Sequence, residues 1–106
     1  MVARFDIYLL NLDAVVGKDA KNTRPCVVIS PNEMNRNIAN VIIAPLSAAT
    51  VRYPTRVPVN FLNSKRVIVL DQIRTVDKLR LVKKIGDIEK DVQKEMLDRL
   101  QEIFAQ

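Results

Sequence analysis

The sequence has no histidine and no tryptophan, and only one cysteine and two glycines in 106 residues. Without histidine, the usual general base and the commonest metal ligand are missing, and Ser-His and Cys-His dyads are excluded. Cys26 alone can neither close an internal disulfide nor build a thiolate zinc cluster. Gly17 and Gly86 cannot furnish a glycine-rich phosphate loop. No metal and no cofactor are therefore expected. Aromatic residues make up 5% of the chain. Phe5, Tyr8, Tyr53, Phe61 and Phe104 offer no obvious platform for stacking bases. No apolar run approaches the roughly 18 residues of a membrane span. Arg4, Asp6 and Asp13 interrupt the first apolar stretch, which lacks the layout of a signal peptide. With a lone cysteine besides, a cytoplasmic protein without membrane association is expected.

What is present suits one small globular domain over residues 1–106, with 48% hydrophobic and 27% charged residues. A core this modest gains from oligomerisation. The net charge of +5 is unevenly spread. Residues 64–86 hold seven basic residues against Asp71 and Asp77, whereas residues 87–106 hold six acidic residues against three basic. A basic middle segment suggests a polyanionic partner, although a solvated face gives the same pattern.

All five prolines lie between Pro25 and Pro58, so no long helix is expected there. Short β-branched runs are read as strands: 5–12, with Phe5, Ile7 and Leu9 on one face; Cys26–Ile29; Val41–Ala44; Arg56–Val59, at an edge because of Pro58; and Arg66–Leu70. Asp13–Thr23 and the asparagine-rich Pro31–Asn40 are read as loops. Gly86 is read as a break before a helix from about residue 89 to 104. Ile88, Val92, Met96, Leu100 and Ile103 form one apolar stripe on it, expected to cover the core. Short strands at close spacing suggest a small barrel or sandwich.

If the partner is RNA, its own 2′-OH can be the nucleophile. The protein must then stabilise charge on the phosphate and manage protons without imidazole. Arg24 offers a planar fork of donors at the head of a proline-led strand, or is an ordinary surface arginine. Ser47 offers a hydroxyl after the third strand, or is an ordinary turn serine. Asp71, with Gln72 at the end of the fifth strand, acts in the chemistry or merely balances nearby cations.

Several segments in order resemble the MazF/PemK toxins, the mRNA interferases of bacterial toxin–antitoxin systems. They are Arg4-Phe5-Asp6-Ile7-Tyr8, then Gly17 with Thr23-Arg24-Pro25-Cys26-Val27-Val28-Ile29-Ser30, then Asn35-Arg36-Asn37. Val41 to Ser47, Tyr53-Pro54-Thr55-Arg56-Val57-Pro58, Asp71-Gln72-Ile73-Arg74-Thr75-Val76-Asp77-Lys78 and Lys84-Ile85-Gly86 follow. The resemblance implies a mainly β fold with α: a small SH3-like β-barrel of the CcdB/MazF type with a C-terminal helix. It implies a homodimer that cleaves single-stranded RNA without metal, leaving 2′,3′-cyclic phosphate and 5′-OH ends, and an acidic MazE-like antitoxin. It assigns catalysis to Arg24, Ser47 and Asp71, and RNA contacts to Lys18, Thr23, Arg52 and Gln72. Phe5 stands where the family usually has glycine, and Ser47 where threonine is frequent. Two alternatives remain at this point. One is a CcdB-like gyrase poison binding through Gln101, Phe104 and Gln106. The other is a nucleic-acid-binding module without catalysis.

Overall fold

A computed structural model of the chain describes residues 1–16, 20–49 and 52–105. Seven strands form one antiparallel sheet: β1 (Asp6–Asn11), β2 (Thr23–Val28), β3 (Asn40–Ser47), β4 (Arg56–Phe61), β5 (Ser64–Val69), β6 (Arg74–Asp77) and β7 (Leu81–Asp87). The order is β4-β5-β3-β2-β1-β7, and β6 also pairs with β3. Strand β3 thus branches: Asn40–Ile43 pair with β6, whereas Leu46 and Ser47 pair with β5. This branching lets the sheet curl into a half-barrel.

The unbroken apolar runs of β2 and β3 reflect burial on both faces. Val27, Ile29, Ala44 and Leu46 enter the inner core with Phe5, Ile7, Val57, Phe61, Ile68, Leu70, Ile88 and Met96. Cys26, Val28, Val41 and Ile43 turn the other way and join Leu10 and Val76 in a second cluster. Edge strands β4 and β7 approach through side chains. A Cβ on Gly86 would lie 3.3 Å from Phe61 Cε1, so only glycine admits the ring without displacement. Gly86 lies within β7, where the sequence reading placed a break. Helix α2 (Lys90–Phe104) lays the expected stripe on the inner core, with Met96 fully buried.

Other expectations are corrected. In β1, Leu10 rather than Leu9 is buried, because register irregularities against β7 at Ile7/Tyr8 and Leu9/Leu10 break the alternation. The presumed loop 31–40 contains a short helix, α1 (Asn32–Asn37), started by Pro31. Buried Asn35 secures it: Ser30 Oγ donates to Asn35 Oδ1, and Asn35 Nδ2 donates to the Ser30 carbonyl at 2.9 Å. Leu70, Asp71 and Gln72 form a 3-10 turn after β5 rather than its end. Pro58 does lie on an edge strand. Phe5, buried, adopts φ 74°, a left-handed conformation that explains why glycine is usual there in the family it resembles.

Candidate active site

Strand register carries the site. Pro25 confines the preceding Arg24 to an extended backbone, and Arg24 pairs with Leu10 of β1. Next to β2, Cys26 pairs with Pro45, two residues before Ser47. Ser47 pairs with Val67, and Val69 pairs with Arg56 on β4. Arg24, Ser47, Arg56 and Gln72 consequently line one cavity of about 260 Å³, together with Pro25, Pro45, Leu46 and Val69. Two prolines and a β-branched residue in that lining have little freedom to shift.

Arg24 is exposed, and its one hydrogen bond among the described residues runs from Nη1 to the Thr23 carbonyl at 3.2 Å. The rest of its fork is free for a ligand. Ser47 Oγ accepts from the Ala49 N–H at 3.1 Å. That bond fixes the side chain without the methyl of threonine, and it leaves the hydroxyl proton to be donated. The site therefore offers two cations and a hydroxyl donor to an anion.

Asp71 does not hold Arg24. Its Oδ1 accepts from Thr55 Oγ1 at 2.9 Å and from Arg56 Nε at 3.5 Å. Desolvation pushes the carboxyl up, but the bonds from Thr55 and Arg56 and the Arg56 charge together outweigh it and hold the pKa below the usual value. Sequence reasoning overlooked Arg56. Its signal lay in the Tyr53 to Pro58 segment but carried no assigned role.

The remaining assignments scatter. Thr23 is half-buried, pairs with Asn11 and does not line the cavity. Arg52 lines a separate cavity of about 390 Å³, with Lys65 and Arg66 facing Glu89 and Asp91. Lys18 and Gln106 lie outside the described residues. Gln101 borders a shallow hollow at the end of α2, and Phe104 is exposed. Among the described residues, no three Cys, Asp or Glu side chains are grouped as metal ligands would be, and no helix is long and apolar enough to cross a membrane.

The family model for the PemK-like, MazF-like toxins of type II toxin–antitoxin systems matches residues 3–104. The chain belongs to this toxin family. A relative, Endoribonuclease EndoA of Bacillus subtilis (strain 168), is 34% identical over 108 residues, 96% of this chain and 90% of that protein. Solved structures share the CcdB/MazF-like fold. An endoribonuclease in complex with its cognate antitoxin, from a mycobacterial species, superposes with TM-score 0.81 at 20% identity, covering 96% of this chain and 93% of that one. The MazE-MazF structure (Form-II) from Deinococcus radiodurans gives 0.79 at 21% identity, covering 98% and 95%.

Proposed function

We propose that this MazF-like toxin is a metal-independent endoribonuclease that cuts single-stranded RNA in the cytoplasm. One observation carries the reading: Arg24 and Ser47 reach one small cavity from adjacent strands. The EndoA relative, itself an endoribonuclease, supports it.

In this reaction the ribose 2′-oxygen attacks phosphorus and gives its proton to solvent water. The P–O5′ bond breaks, and the 5′-oxygen takes up a proton from solvent water. The products are a 2′,3′-cyclic phosphate and a 5′-hydroxyl. The Arg24 guanidinium donates N–H hydrogen bonds that clamp the charge growing on the phosphoryl oxygens and on the leaving oxygen. Ser47 donates to a non-bridging oxygen and orients the phosphate. Gln72 contacts the RNA at the rim. The toxin acts as a homodimer, and an acidic antitoxin segment competes with RNA for the cationic cavity. Antitoxin-bound structural neighbours support that partner.

The test is incubation with a long single-stranded RNA in excess EDTA, followed by mapping of cut sites and end groups. Cyclic phosphate and 5′-hydroxyl ends at a recurring sequence are expected. Loss of cleavage in EDTA, or 5′-phosphate ends, would contradict the mechanism.

A further inference from the structure

Arg24 is not the only guanidinium on the cavity. Arg56 enters from the opposite side: β4 lies three positions from β2 in the sheet, roughly 14 Å at the usual strand spacing. Unlike Arg24, Arg56 is held from two directions. Its Nε donates to Asp71 Oδ1, and its guanidinium carbon lies 5.8 Å from the centre of the Tyr53 ring. Thr55 holds the same carboxylate oxygen at 2.9 Å. Bonding through Nε leaves both terminal amino groups, with four N–H donors, for the cavity that Arg56 lines. Two like charges facing one small space repel until an anion enters, and a phosphate between them resolves the conflict.

We propose that Arg56 is a second phosphate-binding guanidinium of this site, and that Asp71 is a positioning residue acting through Arg56 rather than on the reacting atoms. The proposal rests on the ribonuclease reading above. A carboxylate already engaged by a hydroxyl and a guanidinium is a weak base, which fits holding better than proton transfer.

The test uses the full chain and an oligoribonucleotide spanning a mapped cut site. Cleavage is measured on the all-ribose form, and binding on a form with 2′-deoxyribose at the scissile link. Arg56→Ala is expected to lower kcat/KM about 100-fold. It is also expected to flatten the slope of log affinity against log salt by about 0.7, the value of one lost phosphate contact on a single strand. Arg56→Lys should keep the slope but lose about 10-fold in kcat/KM, because it has charge without the fork. This variant keeps the proposal testable if Arg56→Ala folds poorly. Asp71→Asn should cost about 10-fold in the wild type and almost nothing in the Arg56→Ala background, without removing a limb of the pH–rate profile. An undiminished cost in that background, or loss of a limb, would overturn the positioning role. An Arg56→Ala protein with unchanged cleavage and salt slope would overturn the phosphate contact while leaving the ribonuclease reading intact. A wild-type protein that cuts no RNA would remove that reading and this proposal with it.

Discussion

Cys26 shows how far burial alone sets a side chain's chemistry. It pairs with Tyr8 and lies in the second core cluster, where burial pushes its thiol from 9.0 to about 12 against the lowering effect of a backbone bond at Tyr8. Below pH 9 both folded and unfolded chains keep the proton, so stability is indifferent to this group. As pH rises from 9 toward 12, the unfolded chain gives up its proton while the folded chain keeps it. Stability should then fall by about 1.4 kcal/mol per pH unit. Denaturant melts from pH 8 to 10.5 check this, and Cys26→Ala should flatten the decline while lowering the baseline. An equal slope in both proteins would contradict it. Among the residues lining the candidate cavity, Arg24 and Ser47 were legible from a proline-led strand and a strand end, and Gln72 from the local run that follows Asp71, although it lies in a 3-10 turn rather than at the strand end. Arg56 was not, since its link to the cavity runs through the Arg56↔Val69 pairing, and local sequence does not specify a register between strands.

The elements with clean apolar periodicity were readable: β2, β3, β5 and α2. Those missed hide their pattern behind charge or weak propensity. Strand β7 is an edge, and Val82, Lys83 and Lys84 are exposed along it. Lysines there discourage edge-to-edge pairing and erase the alternation a strand would otherwise show. Helix α1 is rich in asparagine, a poor helix former, and owes its existence to buried Asn35. The β4–β5 hairpin turns on Leu62 and Asn63 at φ 50° and 61°, both left-handed, and Leu62 is 74% exposed. A two-residue turn of this kind favours Asn-Gly, and leucine there is strained without any gain in burial. Replacing the pair by Leu62→Asn and Asn63→Gly should raise stability by about 1 kcal/mol, a Tm gain of several degrees by calorimetry. An unchanged or lowered Tm would argue that the turn is not strained.

At the scale of the whole molecule, charge along the chain is a poor map of charge in space. The basic residues of segment 64–86 are dispersed over β5, β6, the 3-10 turn at Lys78–Arg80 and β7, and two of them, Arg80 and Lys84, are engaged in structural contacts. Lys84 pairs with buried Asp6 at 3.2 Å, which raises its pKa by hydrogen bonding and charge. Arg80 Nη1 donates to the Asn11 and Asp13 carbonyls at 3.1 and 2.8 Å, anchoring the first loop. Lys65 and Arg66 face acidic residues of the α2 end. The cations of the candidate site, Arg24 and Arg56, come instead from outside that segment and converge only because β2, β3, β5 and β4 are neighbours. A fold-level likeness to known toxins would survive the loss of that convergence, but the chemistry would not. The most direct measurement is therefore the cleavage rate of Arg24→Ala set beside its affinity for the 2′-deoxy-substituted RNA. A rate loss of about 1,000-fold with binding retained within about 10-fold is predicted. Cleavage at the wild-type rate would contradict the account.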